Sequence, residues 1–178
     1  MLTDKEIVAK YKLKPTDKIL DIGGSMKQHT DIKIHTLVDI VHPEKAPYYP
    51  SKLKAKKFVQ VDIQASKLPF KNKEFDFCFC THTIEDLNWP FLVLDDMARV
   101  SKRGLIITPS RGEDMVFTPF DITNWMTGGR RVPGLAHHKW FFEKRGRVLY
   151  VVTKNYPLLY SSEFQFTKWV GSSECIFY

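Results

Sequence analysis

Acidic and glycine residues follow three short apolar segments within the first 63 residues of the chain. They are Asp21 with Gly23 and Gly24 after the first segment, Asp39 after the second and Asp62 after the third. A carboxylate accepts hydrogen bonds, so Asp39 suits the two hydroxyls of a ribose and Asp62 suits the amino group of an adenine. Each aspartate alone is also a common turn residue. Together, at the carboxyl ends of parallel strands, they predict a nucleoside site.

The glycine segment distinguishes between classes of nucleoside ligand. Gly23-Gly24-Ser25-Met26-Lys27 lacks the Gly-x-Gly-x-x-Gly spacing that opens a pyrophosphate-binding helix. A glycine pair still allows the backbone to approach a ligand closely. The segment therefore disfavours a dinucleotide cofactor and is compatible with a nucleoside that carries no phosphate.

The elements that position these residues form an alternating pattern of strands and helices. Thr3-Asp-Lys-Glu6 is a capping box that begins a first helix, and Pro15 ends it. A second helix is predicted over 88–101, with Asn88 as its cap. Strands are predicted over 18–22, 35–40, 58–63, 75–81 and 104–108. Continuous apolar strands separated by crossovers indicate a mostly parallel sheet covered on both faces.

Two of the crossovers are poor candidates for helices. Only about ten residues separate Gly24 from the second strand, and Pro43, Pro47 and Pro50 interrupt the next connection. We expect loops or single turns there. After the fifth strand, residues 111–140 are rich in Gly, Pro, Arg and aromatic residues without a clear period.

Strands are predicted again near the end of the chain, over 147–153, 162–169 and 174–178. We expect them to be antiparallel strands added at the sheet edge. The organisation predicted is one domain over 1–178. Its parts are a cofactor-binding core over 15–110, a substrate lid over 111–145 and C-terminal strands over 146–178.

This order of strands and acids resembles the class I S-adenosylmethionine-dependent methyltransferases, closest to the small type 11, or ubiquinone-biosynthesis-like, branch. The resemblance covers about 15–110, just over half of the chain. The matching stretches are 18–25, 37–40, 61–62 with 68–70, 75–87 and 97–109, of which the fourth, through His82 and Glu85, is the most specific. The resemblance implies a Rossmann-like three-layer α/β fold, a mostly parallel sheet with an antiparallel last strand, and S-adenosylmethionine as cofactor.

The resemblance also implies roles for individual residues. Asp21, Gly23, Gly24 and Ser25 line the methionine end of the cofactor. Asp39 and Ile40 lie at the ribose, Asp62 and Ile63 at the adenine, and Thr81 and His82 beside the sulfonium and its methyl group. His82 is the titratable residue nearest to the expected methyl group, so it is the candidate catalytic base, and the favoured alternative is that it shapes the pocket by hydrogen bonding. The sequence departs from the family at Ser25 and Lys27, which replace the second and third glycines of the family's loop.

The segment after the fifth strand supplies the candidates for binding the acceptor, because loops at the carboxyl edge of a sheet carry specificity. These candidates are Arg111, Arg130, Arg131, His137, His138 and Trp140. Arginines suit a carboxylate or a phosphate. An ordered lid packed by its own aromatic residues is an equally good interpretation. No zinc-type ligand spacing occurs, and adjacent histidines point in opposite directions on an extended chain, so we expect no metal. A ligand set that includes Asp121 or Glu143 is the alternative that stays open.

Charge and cysteine usage limit the remaining possibilities. The net charge of +7 includes +6 from residues 128–154, and this basic segment could attract nucleic acid or an acidic substrate. No apolar run is long enough to span a bilayer, and the first twelve residues do not have the character of a signal peptide. Cys78 and Cys80 lie in an apolar run as packing residues, which favours a reducing cytoplasm.

The sequence therefore predicts an enzyme that transfers a methyl group from S-adenosylmethionine to a small-molecule or sugar-like acceptor. Two alternatives remain open. Ser25 and Lys27 motivate a methyltransferase-like binding or partner subunit that has lost turnover. The basic segment 128–154 motivates a nucleic-acid methyltransferase or binder, although Thr81-His-Thr-Ile84 differs from the Asn/Asp-Pro-Pro-Tyr/Trp tetrapeptide that amino-methylating nucleic-acid enzymes carry at this position.

Overall fold

The computed structural model describes residues 2–110, 114, 137–154 and the backbone of 173–177. The chain divides into two compact units. The first comprises Met1–Thr83, Trp89–Ile106 and Ile176–Tyr178, and the second comprises Ile84–Asn88 and Ile107–Cys175. Within the described residues, no helix combines the length and the apolar character that crossing a bilayer requires.

The first unit begins with helix α1, Asp4–Tyr11, whose start the capping box determines. The Thr3 side chain accepts a hydrogen bond from Glu6 N, and the Glu6 carboxylate accepts one from Thr3 N at 2.7 Å. These bonds satisfy two backbone N–H groups that would otherwise lack partners at a helix start. The helix ends at Lys12, which takes a left-handed conformation with φ of 51°. It therefore ends before Pro15.

A mostly parallel sheet forms the centre of the first unit. Its first five strands are β1 (Ile19–Ile22), β2 (Thr36–Asp39), β3 (Lys57–Gln60), β4 (Phe75–Thr81) and β5 (Ser101–Thr108). The strand order is β3-β2-β1-β4-β5-β8, with β8 spanning Ser173–Phe177. Strand β1 pairs in parallel with both β2 and β4. The order of strands reverses between β1 and β4, so their carboxyl ends form the switch point where ligands bind in such sheets.

The two crossovers predicted to be poor helices lack α-helices. None of residues 25–35 is helical, and the connection from β2 to β3 contains only a 3-10 turn, Pro43–Lys45. Helix α2, Phe91–Val100, connects β4 to β5. Pro90 occupies its N-cap position without a side-chain cap, so the predicted cap at Asn88 is wrong by two residues.

The core of the first unit is built from the central strands and α2. The β4 side chains of Phe75, Phe77 and Phe79 are each at most 1% exposed. Continuous burial on both faces of β1 and β4 explains why these strands read as unbroken apolar runs. Cys78 packs there as a buried thiol that accepts a hydrogen bond from Ser101 Oγ at 3.0 Å. Burial raises the pKa of Cys78 to about 12, which fits its predicted packing role.

An arginine on α2 fixes the loop that precedes β4. Arg99 donates to the carbonyl oxygens of Phe70 at 2.6 Å and Leu68 at 2.8 Å, and to Asp96 Oδ1 at 2.7 Å. The Asp96 carboxylate, 3% exposed, also accepts a hydrogen bond from Leu68 N. One buried carboxylate and one guanidinium therefore hold the loop against the helix.

The second unit contains an antiparallel pair of strands, β6 (Trp140–Arg145) and β7 (Val148–Thr153). Gly146, with φ of 60°, lies in the turn between them. The strand predicted over 147–153 is thus confirmed, but the structure places it in a separate two-stranded sheet. Its partner β6 lies entirely within the segment predicted as a lid, 111–145, and Phe141 and Phe142 of this strand are buried. The sequence signal for β6 was weak because successive aromatic residues hide the alternation of a strand.

The end of the chain is described only in part. Strand β8, Ser173–Phe177, lies beside β5 at the edge of the large sheet, which confirms a strand near 174–178. The strand predicted over 162–169 lies outside the described residues.

Candidate functional site

Strand β1 leads into a turn that only glycine fits at its first position. Gly23 has φ of 77°, and its N–H donates to Val38 O at 2.8 Å. A Cβ at Gly23 would lie 2.3 Å from the Thr83 side chain. Thr83 follows β4, so this contact fixes the turn against the carboxyl end of the neighbouring strand.

Gly24 leaves room for the carboxylate of Asp21. A Cβ at Gly24 would lie 2.1 Å from Asp21 Oδ2. Asp21 is 2% exposed, and its pKa is raised to about 6. Burial is the main cause, the nearby His29 opposes it, and the Asp39 and Asp4 carboxylates add to it. A buried carboxylate in this state gains from any cation placed beside it.

Asp39, at the end of β2, holds the glycine turn through the backbone. Its Oδ2 accepts a hydrogen bond from Ser25 N at 3.0 Å, and its Oδ1 accepts one from Val41 N at 3.3 Å. Ser25 Oγ donates to Val41 O at 2.6 Å. Since a carboxylate has about four acceptor positions, Asp39 retains capacity for further donors. Ser25, at a position where the family carries glycine, therefore ties the turn to the end of β2.

The segment after the turn is fixed by α1. Asp4 Oδ1 lies 2.7 Å from His29 Nδ1, and Asp4 Oδ2 accepts from Thr30 N at 2.7 Å and Asp31 N at 2.9 Å. The His29 ring packs on Phe79 of β4 with 4.5 Å between ring centroids. These contacts replace the helix that usually follows the first strand of such sheets.

Gln28 ties the same segment to the connection between β2 and β3. Its amide nitrogen donates to Ser51 Oγ at 3.0 Å and Lys52 O at 2.9 Å, and its amide oxygen accepts from Lys54 N at 2.8 Å. The connection that carries Tyr49 is held beside the glycine turn in this way.

The end of β4 supplies the other side of the switch point. His82 takes a left-handed conformation with φ of 49°, which is uncommon for a residue other than glycine. Thr83 Oγ1 lies within hydrogen-bonding distance of Thr81 O at 3.2 Å and Gly23 O at 3.4 Å. Strained backbone of this kind is often found at functional sites.

A cavity of about 540 Å³ opens at this point, between the ends of β1 and β4. It is lined by Gly23, Gly24, Met26, Lys27, Tyr49, Thr81 and His82. The volume falls within the range of about 300–1,000 Å³ typical of small-molecule sites. Four of the lining residues, namely Gly23, Gly24, Thr81 and His82, are residues that the sequence predicted for a cofactor.

The other predicted cofactor residues do not line this cavity. Ile40 is 54% exposed, and Ile63 is buried. Asp62 is exposed and lies beyond β3, which ends at Gln60 and is shorter than predicted. Its Oδ1 accepts a hydrogen bond from Gln64 N at 2.9 Å, as a turn-forming aspartate does. Adenine binding at Asp62 and Ile63 stays a prediction.

Sequence reasoning missed several residues that build the cavity. Tyr49 and Met26 line it, and Thr83 determines the shape of the glycine turn. Thr83 could have been noted because it lies beside His82 in the stretch with the strongest resemblance. No local signal marked Tyr49, because its place depends on the Gln28 hydrogen bonds.

The predicted acceptor-binding residues fall into two groups. Arg111, Arg130 and Arg131 lie outside the described residues. His137, His138 and Trp140 lie in the second unit, where Trp140 Nε1 donates to Leu87 O at 2.7 Å. Binding of an acceptor by any of the six stays a prediction.

Comparison with known proteins agrees with the geometry. Residues 24–108 match the model of a family described as a methyltransferase domain, of type 11. This match covers just under half of the chain, so residues 24–108 are similar to this methyltransferase domain, and the strand order described above is that of a Rossmann-like α/β fold. Proteins described in this way use S-adenosylmethionine as their cofactor. No curated protein matched the chain.

Several solved structures are similar in fold. A SAM-dependent methyltransferase from Aquifex aeolicus is 19% identical, with 71% of this chain and 76% of that chain covered and a TM-score of 0.44. A SAM-dependent methyltransferase from Thermotoga maritima is 14% identical, with 82% and 79% covered and a TM-score of 0.46. The YcgJ protein from Bacillus subtilis is 17% identical over 58% of this chain, with a TM-score of 0.43, and the match spans 49% of its own length.

Proposed function

We propose that the chain binds S-adenosylmethionine in the cavity at the ends of β1 and β4 and transfers its methyl group to a small-molecule or sugar-like acceptor. The observation that carries this proposal is the composition of the cavity wall. The glycine turn and the pair Thr81 and His82 both line the cavity, at the switch point of the sheet. In addition, no helix follows the glycine turn in residues 25–35. A phosphate-bearing cofactor needs such a helix, whereas a sulfonium cofactor does not.

The residues present fit this cofactor. Gly23 and Gly24 form a cradle that a Cβ would fill, so backbone can approach the ligand. The buried carboxylate of Asp21 lies behind Gly24, and the ammonium group of a bound methionine moiety would favour its charged form. Asp39 has acceptor capacity left for ribose hydroxyls beyond its two backbone bonds.

The chain contributes mainly alignment to the reaction. When bound, S-adenosylmethionine supplies an electrophilic methyl group for in-line substitution, and such a step depends on proximity and orientation. Thr81 and His82 would confine the space in which the acceptor atom approaches. His82 would accept the acceptor's proton where the acceptor is protonated, and would otherwise shape the pocket by hydrogen bonding.

Calorimetry on the full chain tests cofactor binding. We expect saturable binding of S-adenosylhomocysteine, which lacks the reactive methyl group, and weaker binding of NAD⁺. Absence of any heat signal at millimolar S-adenosylhomocysteine would remove the proposal. A matched variant is His82→Asn, for which we expect cofactor affinity within a few fold of wild type and a larger effect on turnover once an acceptor is known.

A non-catalytic binding subunit is the second candidate, and Lys27 is the observation that favours it. Lys27 lines the cavity at a position where the family carries glycine. In this case cofactor binding would persist without turnover. If the chain is such a non-catalytic subunit, we expect Lys27→Gly to bind S-adenosylhomocysteine with an affinity within a few fold of wild type.

A nucleic-acid acceptor is the third candidate. Lys139, Lys144, Arg145 and Arg147 are exposed in the second unit. Binding to RNA or DNA that weakens steeply with salt would support this acceptor class over a small molecule.

For location we favour the reducing cytoplasm, because the cysteine thiol at position 78 is buried and serves packing.

A further inference from the structure

Three side chains of the second unit converge on one point. Asp86 ends the 3-10 turn Ile84–Asp86, and His137 and His138 lie just before β6. Asp86 Oδ1 is 3.8 Å from His137 Nε2 and 3.7 Å from His138 Nε2. One possible ligand atom from each of the three residues lies within 4.8 Å of the others. The two rings meet edge to face, with 4.6 Å between centroids and 82° between planes.

Hydrogen bonds between residues 85–88 and the start of β6 hold these three side chains in place. Lys139 N donates to Glu85 O at 2.6 Å, and Trp140 Nε1 donates to Leu87 O at 2.7 Å. The Lys139 ammonium also donates to Asn88 Oδ1 at 2.7 Å. The 3-10 turn and the start of β6 are thereby joined along their length. The position of Asp86 relative to the histidines is thus fixed by bonds that do not involve their side chains.

The orientation of His138 is fixed from its other side. Its Nδ1 lies 2.7 Å from Asp114 Oδ1, and the two side chains are 6% and 4% exposed. When Nδ1–H donates to this carboxylate, Nε2 carries a lone pair and faces Asp86. A carboxylate that orients a histidine in this way is the usual partner of a metal-binding histidine.

The charges around the point favour a cation. Asp86, Asp114 and Glu85 are three acidic side chains, and Glu85 is 1% exposed. The Lys154 ammonium, 3% exposed, lies 3.6 Å from Asp114 Oδ1 and offsets part of this charge. Buried carboxylates in excess of buried ammonium groups are stabilised by a bound metal ion.

We propose that Asp86, His137 and His138 form a binding site for a divalent transition-metal ion such as Zn²⁺, with Asp114 as a positioning residue. Two imidazoles and one carboxylate suit zinc, with the remaining coordination position open to water or ligand. Tetrahedral ligands about 2.0–2.2 Å from zinc are about 3.4 Å apart. The two Asp86 distances exceed this by a few tenths of an ångström, and the ligand atoms of the two histidines lie within 4.8 Å of each other. Side-chain movements that shorten these separations by at most about 1.4 Å would therefore suffice.

The structure removes one of the two reasons for expecting no metal here, the opposite directions of adjacent histidines. That expectation assumed an extended chain, on which adjacent side chains point in opposite directions. His137 lies in a turn instead, and both imidazole Nε2 atoms face Asp86. The site is independent of the proposed cofactor cavity, since none of its residues lines that cavity.

Titration of the full chain, freed of metal by a chelator, tests the proposal. We expect one equivalent of Zn²⁺ to bind with micromolar or tighter affinity by calorimetry, and Co²⁺ to give visible absorption of a nitrogen- and oxygen-ligated ion. Asp86→Asn and His137→Asn should each weaken Zn²⁺ binding at least tenfold. Asp114→Asn should weaken it about 10- to 100-fold and alter the Co²⁺ spectrum, since it orients a ligand without touching the metal.

His42→Asn is the matched control, because His42 lies in the first unit and an asparagine preserves its capping role at Glu44 N. It should bind Zn²⁺ as wild type does. Near-ultraviolet circular dichroism checks that each variant is folded. Failure of folded wild type to bind Zn²⁺ stoichiometrically would overturn the proposal, as would wild-type affinity in both Asp86→Asn and His137→Asn. S-adenosylhomocysteine binding, measured in parallel, reports separately on the cofactor cavity.

Discussion

The Asp4 carboxylate lies 2.7 Å from Nδ1 of His29, and this pair joins the first turn of α1 to the segment that follows the glycine turn. The same carboxylate accepts hydrogen bonds from Thr30 N and Asp31 N. Helix α1 therefore does more than cover the sheet. It holds in place a segment that has no helix of its own.

We expect Asp4→Ala to lower the free energy of unfolding by about 1–3 kcal/mol, because it removes the acceptor of three hydrogen bonds. Cofactor affinity should fall as well, since the segment adjoins the cavity. Although burial raises the pKa of Asp4, hydrogen bonds from His29 and the loop backbone lower it below 3.8. Its contribution is therefore present above about pH 4 and is lost as pH falls through the lowered pKa.

Thr3→Ala is the control for Asp4, because it removes the cap of the same helix and leaves the loop contacts intact. It should cost about 1 kcal/mol of stability with unchanged cofactor affinity. Urea unfolding and calorimetry measure the two quantities. Equal losses of cofactor affinity in Asp4→Ala and Thr3→Ala would show that α1 affects cofactor binding through its stability and not through its contacts with the loop.

Asp21→Asn should make the protein more stable above pH 6. The folded pKa of Asp21, about 6, exceeds its usual value of 3.8, so folding favours the protonated form. The protonated Asp21 side chain contributes its full stabilisation below about pH 4, and this contribution is lost as the pH rises through 6. From pH 4 to pH 7, the free energy of unfolding of the variant should therefore rise by about 3 kcal/mol relative to that of wild type, because each pKa unit corresponds to about 1.36 kcal/mol. Urea unfolding at several pH values measures this difference, and a pH-independent difference would contradict it.

Asp39→Ala should weaken cofactor binding by about 2–3 kcal/mol, because a charged acceptor is removed. The hydrogen bond to Ser25 N adds a contribution from the loop. An S-adenosylhomocysteine analogue without ribose hydroxyls separates the two effects. If the hydroxyls are bound, the variant should lose much less affinity for this analogue than for S-adenosylhomocysteine. Unchanged affinity for S-adenosylhomocysteine would remove the assignment of Asp39.

Gly24→Ala should abolish cofactor binding and lower the free energy of unfolding by about 3 kcal/mol, at the upper end of the usual cost of overpacking. Its Cβ would lie 2.1 Å from a carboxylate oxygen of Asp21, which is buried and has little room to move. Gly146→Ala is the control, because nothing lies within 4 Å of its Cβ despite a φ of +60°. It should cost only about 1–2 kcal/mol of backbone strain and leave cofactor affinity unchanged. Thermal unfolding and calorimetry compare the two.

Arg99→Ala should lower the free energy of unfolding by about 3–5 kcal/mol, since it leaves the Asp96 carboxylate buried without its cation. Arg145→Ala breaks an ion pair with Glu143 that lies on the surface, and should cost about 1 kcal/mol or less. Denaturant unfolding at pH 7 measures both. Similar losses in the two variants would mean that burial of Asp96 contributes little.

The sequence predicted much of the first unit because its signals are local. The bounds of β4 match the prediction, and α1 begins at the capping box. Errors occurred at the ends of elements. Helix α2 starts at Phe91 because Pro90 takes the N-cap position, while Asn88 instead accepts a hydrogen bond from Lys139. Strand β3 ends at Gln60, so Asp62 falls in the following turn.

The sequence alone determined most elements of the first unit and the positions of two aspartates that we propose for cofactor binding. The periodicity of apolar residues, the capping box and the glycine pair each act over a few residues. Their structural consequences can therefore be predicted from the sequence directly. Asp21 and Asp39 were placed correctly at strand ends for this reason.

Only the tertiary structure decided which distant side chains meet. Asp4 and His29 are 25 residues apart, and Lys139 and Asn88 are 51 apart. These contacts depend on how the chain packs, and the composition and the spacing of residues do not predict that packing. The same is true of Thr83 against Gly23 and of Asp86 beside His137 and His138. In the second case a turn and hydrogen bonds from Lys139 and Trp140 bring separate segments to one point.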